Sequence, residues 1–215
     1  NRINIDNAWQ NNYSLSFDGV DDYVTGGNHP KYTPTTAGWS VSFWYKKAAN
    51  GSQTIINKTG QFAGGGVYDQ EWAIFNRFTE QLRLIVHFNN KTTDYVHFDS
   101  VQAIPENTWQ HYVVTYDGSQ TATGFNMYID NELLNTTNGL ATVTLTGSYG
   151  PVFAGVSSLY MARNAGVTYT EMHLDEFILY EKVIDAATVN HLYNNGITGN
   201  PNESPYATSS MVAYW

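Results

Sequence analysis

The chain has 215 residues, a formal charge of −9 and no cysteine, so disulfides and thiolate metal sites are excluded. Its 10 Lys and Arg residues are scattered, with Lys46-Lys47 the one adjacent pair, which leaves no basic cluster for a nucleic-acid or anionic membrane partner. No run reaches the roughly 18 apolar residues of a membrane-spanning helix, so no membrane insertion is expected.

NRINIDNAWQ, the first stretch, has no initiator Met and does not read as a signal peptide, which fits a processed chain or a piece of a longer one. SLSFDGVDDYV follows. Leu15 and Phe17 alternate with serines as in a half-buried strand, Asp18-Gly19 signals a turn, and Tyr23-Val24 restarts the apolar run. A tight turn needs only Asp18 and Gly19, so Asp21 and Asp22 call for another account. Three clustered carboxylates repel one another unless water or a cation lies between them. The turn is either a wet acidic edge or part of a calcium site.

Short alternating bursts then predict strands at 39–47, 53–59, 71–76, 82–88, 94–101, 109–117, 125–137, 152–164 and 171–182. Asp130-Asn131 marks a two-residue hairpin, since both types enter the left-handed region. If 82–88 and 94–101 form a hairpin, matching their apolar faces pairs Phe88 with Val96 and Val86 with Phe98, which sets His87 opposite His97. DAATVNHLYNNG reads as the one helix, capped by Asp185, striped by Val189, Leu192 and Tyr193, and ended by Gly196. Many short strands, frequent turns and one short helix near the C-terminus predict an all-β fold, a two-sheet antiparallel sandwich of the jelly-roll kind. Residues 1–198 are expected to form that domain. Beyond them a Pro- and Asn-rich spacer leads to MVAYW, either an edge strand or the start of a following domain.

At four places the chain resembles the laminin-G-like, concanavalin-A-like jelly-roll family. LSFDGVDDYV is similar to that family's first strand and turn, and WSVSFWYK to its next, Trp-bearing strand. NTWQHYVVTYDGS with FNMYIDNELLNT is similar to its most recognisable hairpin series, and LDEFILYEKVIDAATVNHLYNNG to its closing strand and helix. Asn131 and Ala162 stand where glycine is usual. The resemblance implies the fold but leaves function open, because members include glycan-binding modules, adhesion domains and fibre or decoration domains of viruses.

Catalysis is not expected. Glu171, His173 and Asp175 share one side of a strand, but Glu171 and Asp175 stand about 13 Å apart, beyond the roughly 5–9.5 Å of glycosidase carboxylate pairs. For a glycan, rings must stack on sugar C–H faces while polar groups hold hydroxyls. Tyr68, Asp69 and Trp72, in and beside a loop opened by three glycines, are candidates, with Arg163 and Asn164 at a strand end. Trp72 is expected as the last loop residue, exposed at a rim. In jelly rolls the first and last strands are commonly neighbours, so Asp18, Asp22 and Asp175 are the expected calcium ligands, with Asp21 beside them. The chain therefore reads as a non-enzymatic glycan-recognition or adhesion module of a larger extracellular or virion-surface protein. A structural or decoration domain contacting only neighbouring protein is the first alternative, and a polysaccharide-cleaving enzyme the second.

Overall fold

The computed structural model describes residues 14–60, 69–164, 168–195 and 211–214. Two antiparallel sheets face each other across one apolar core. The first holds β1 (Leu15–Asp18), β3 (Trp39–Lys47), β8 (Trp109–Tyr116), β9 (Phe125–Ile129), β10 (Glu132–Leu134) and β13 (Glu171–Tyr180). Their order is β1-β13-β3-β8-β9-β10, and β14 (Met211–Tyr214) also pairs with β13. The second runs β11 (Ala141–Thr146), β7 (Tyr95–Ala103), β6 (Gln81–His87), β5 (Asp69–Asn76), β4 (Gln53–Gly60), β12 (Leu159–Met161), β2 (Val24–Gly27). This is the expected jelly-roll sandwich.

The alternation seen in the chain becomes the division between core and outer face. Val41, Phe43 and Tyr45 of β3 and Leu82, Leu84 and Val86 of β6 are all buried between the sheets. A fully buried Leu, Val or Phe contributes about 1.5–3 kcal/mol, so such rows are the main source of stability. A second, smaller cluster sits on the outer face of the first sheet. There α1 (Ala186–Asn195) lays Val189 and Leu192 against Val113, Ile178 and Tyr180. Asp185 caps it, its carboxylate accepting from Thr188 N at 2.8 Å and Thr188 Oγ1 at 2.7 Å, bonds that hold its pKa below the usual range. Tyr193 reaches back to stack on Trp44, with ring centroids 5.9 Å apart.

Asp130 and Asn131 both take positive φ, 50° and 69°, and close the predicted hairpin between β9 and β10. The β6–β7 hairpin differs from expectation by two residues. Val86 pairs with Val96 and His87 with Tyr95, because Phe88 N donates to Asp94 O and closes the loop sooner. A two-residue slip keeps every side chain on its face, so His87 and His97 still share a side but flank Tyr95 instead of meeting. Burial is the first cause lowering both imidazole pKa values, that of His97 to about 4.

β11 was not among the predicted strands. Its sequence, ATVTLT, alternates Ala141, Val143 and Leu145 with threonines in the period-two pattern of a half-buried strand, but the run is short and stands between the turn-rich stretches NTTNG and GSYGP. Of the tail, Met211–Tyr214 pair with β13, while residues 196–210 lie outside the described residues.

Candidate functional site

The acidic turn lies where β1 leaves the sheet. Gly19 takes φ +76°, and a Cβ there would stand 3.0 Å from Glu171 N, so both the turn and the close approach require glycine. Val20 N donates to Asp18 Oδ1 at 2.8 Å, and Asp18 N to Asp22 Oδ2 at 3.3 Å. Carboxylate oxygens of Asp18, Asp21 and Asp22 all fall within 4.8 Å of one another, and all three residues are exposed. Asp175 does not join them. β1 is indeed the neighbour of β13, but its register sets Asp18 opposite Glu171. Asp175 stands four residues along β13, about 13 Å away, beside a bulge where Glu176 N donates to its Oδ1 at 2.8 Å.

The expected glycan residues divide between two places. Asp69 opens β5 and is buried: its Oδ2 accepts from Val156 N at 2.6 Å and Ser157 Oγ at 2.9 Å. Arg163 follows β12 at the other end of that strand. Ser157 and Arg163 are six residues apart, about 20 Å of extended chain, so Asp69 and Arg163 do not share a site. Tyr68 lies outside the described residues.

Trp72 is a correction. It is fully buried, its ring set edge-on to Trp39 with centroids 4.7 Å apart, and its Nε1 donates to Tyr32 O at 2.7 Å. Period-two alternation sets Trp72 on the core face with Ile74 and Asn76, since it belongs to β5 and not to the loop before it. Glu71 joins it through a β-bulge: Lys58 pairs with Trp72 and Thr59 with Gln70, so Glu71 is the extra residue and turns inward as well. Strict alternation would have sent Glu71 outward.

That bulge buries an ion pair that sequence reasoning missed. The Lys58 ammonium bonds Glu71 Oε1, Gly155 N donates to the same oxygen at 2.9 Å, and Thr33 Oγ1 donates to Oε2 at 2.5 Å. Lys58 floors a groove of about 480 Å³ between residues 30–36, 116–120 and 150–155. Among the described residues the one aromatic ring lining it, Tyr116, is buried and stacked on Phe125 at 4.4 Å, so these residues offer a sugar no exposed aromatic face.

Arg163 has such a face beside it. Its guanidinium carbon lies 4.8 Å from the ring centroid of Tyr23 and 5.0 Å from that of Tyr160. Tyr169 lies 6.1 Å from Tyr23, and Arg163 bridges to Tyr169 through the backbone. Asn57 fixes the position by donating to Arg163 O, and Asn164 accepts from Thr168 N at 2.9 Å. Tyr23 is 44% exposed, next to the acidic turn. The cluster joins the β1–β2 connection, β12 and the start of β13. Tyr23 was visible in DDYV, but only the pairing of β2 with β12 brings it to Arg163.

A family model described as the Concanavalin A-like lectin/glucanases superfamily, of laminin-G type, matches residues 18–190. The chain belongs to that superfamily. Solved structures agree on the fold of this laminin-G-type domain. The receptor binding domain of botulinum neurotoxin C/D mosaic serotype superposes with a TM-score of 0.60 at 17% identity, over 86% of this chain and 43% of that one. A putative carbohydrate binding protein from Bacteroides ovatus gives 0.60 at 12% identity, over 94% and 50%. Trypanosoma rangeli sialidase gives 0.54 at 12% identity, over 86% and 28%. The laminin-G-type domain thus spans half or less of these proteins. No curated protein matches it by sequence.

Proposed function

We propose that this domain is a non-enzymatic glycan-recognition module of an extracellular protein, and that the tyrosine cluster around Arg163 is its binding face. One observation carries the reading: a guanidinium packed against two neighbouring tyrosine rings, with Tyr23 left open to solvent. A sugar's C–H face stacks on Tyr23, and Arg163 and Asn164 hold its hydroxyls. One structural neighbour is itself a putative carbohydrate binding protein, which supports this reading. Binding without covalent chemistry is supported by β13, where Asp175 is engaged in its bulge and His173 lies beside Trp109 at 6.1 Å.

Tyr23→Ala and Arg163→Ala are each expected to weaken binding to an immobilised polysaccharide by about 10-fold or more, roughly 1.4 kcal/mol. Both should melt within a few degrees of the parent. Parent-like binding by both variants would place the site elsewhere.

The acidic turn is the part of this reading assigned to calcium, with Asp18, Asp21 and Asp22 as its ligands. Three carboxylates supply fewer oxygens than the 6–8 that calcium takes, so water completes the shell and affinity is near 1 mM, as in weak extracellular modules. At ~10 mM calcium this stabilises the fold by about 1.4 kcal/mol, a rise of about 3–5 °C in melting temperature. Excess chelator, or Asp21→Asn, should remove the rise. A parent that melts identically with calcium and with chelator contradicts the assignment.

A further inference from the structure

β11 ends the second sheet, and among the described residues nothing pairs with its outer edge. Edge strands are ordinarily protected by charges, prolines, bulges or brevity. β11 has none of these: six residues, ATVTLT, pair with β7 in unbroken register. The other described edges differ. β10 has three residues and carries Glu132, β2 starts beside the acidic turn and ends in Gly26-Gly27, β1 ends at Asp18 opposite Glu171, and β14 has only four residues.

Charge points to the partner. In a chain of net charge −9, two copies repel over most of their surfaces. From Leu133 to Ala162, however, there is no Asp, Glu, Lys or Arg. The edge also exposes Val101, Leu140 and Leu145.

The free hydrogen-bonding positions follow from alternation. Val101 N donates to Leu140 O, so Leu140, Thr142, Thr144 and Thr146 turn their backbone groups to β7. Ala141 N turns the other way, donating to Asn135 O, which leaves Val143 and Leu145 with outward N–H and C=O groups. These two flank Thr144. Antiparallel pairing about a two-fold axis at Thr144 matches Val143 of one copy with Leu145 of the other, twice.

We infer that β11 is the self-association edge of this protein, where a second copy adds antiparallel and continues the sheet across both molecules. An interface built on six residues per copy is small, so the dimer is weak, with a dissociation constant of about 10 μM to 1 mM.

Sedimentation equilibrium up to about 1 mM protein tests this directly. The average mass of the parent should rise from that of the monomer towards that of the dimer. Thr144→Lys, which sets two ammonium groups face to face at the axis, should weaken the dimer about 10-fold or more. Leu145→Pro, which removes an outward donor and keeps the bonds to β7, should do the same. Mixing Thr144→Lys with Thr144→Glu should restore association as a heterodimer, a rescue that a merely damaged strand would not show. A parent monomeric throughout, variants that dimerise as the parent does, or a mixture that stays monomeric would each overturn the inference.

Discussion

Glu71→Ala is expected to destabilise the domain by about 3–5 kcal/mol, the cost of leaving a buried charge without its partner. Lys58 and Glu71 are both inaccessible to solvent, and Glu71 is the shared acceptor for Lys58, Thr33 and Gly155. Its removal strands an ammonium inside the sandwich and frees a strand-end loop and the 30–36 segment together. At about 2–4 °C per kcal/mol for a domain of this size, melting should fall by about 6–20 °C. A double variant, Lys58→Met with Glu71→Leu, should recover part of the loss, because an apolar pair leaves no unpaired charge, while Gly155 N and Thr33 Oγ1 still lose their acceptor. A single-variant loss below about 1 kcal/mol would mean that water reaches Lys58 freely.

Trp72→Ala should cost a similar amount, about 3–5 kcal/mol, and should act on stability alone. The indole fills the core against Trp39 and supplies the hydrogen bond to Tyr32 O. Truncation leaves a large cavity and an unsatisfied carbonyl at once. Thermal melts and polysaccharide binding, measured on the same preparation, separate the outcomes. Lost binding at an unchanged melting temperature would return Trp72 to the binding face and contradict its burial.

These two residues show where reading along the chain stops. Lys58 and Glu71 are charged residues in alternating strands, which ordinarily places them in solvent. Only the one-residue bulge between β4 and β5 turns Glu71 inward beside Trp72, and a bulge leaves no pattern in a single strand. The register of β6 against β7 was missed for a related reason. Apolar matching is satisfied equally by slips of two, so the choice fell to the short loop closed by Phe88 and Asp94. β11 was missed although its threonines alternate with Ala141, Val143 and Leu145, because so short a run between two turn-rich stretches reads as part of a loop.

The sandwich itself, the Asp130-Asn131 hairpin, the Asp185-capped helix and the acidic turn were determined by the sequence alone. Each depends on local chemistry: period-two alternation, tolerance of positive φ, a capping carboxylate, and glycine at a crowded corner. The company that residues keep across strands was decided only by tertiary structure. Register set Glu171, and not Asp175, opposite Asp18. Strand pairing carried Tyr23 to Arg163 and left Asp69 at the far end of β12. Neighbours in a sheet are chosen by the fit of whole faces and by loop length, and those are properties of the assembled chain.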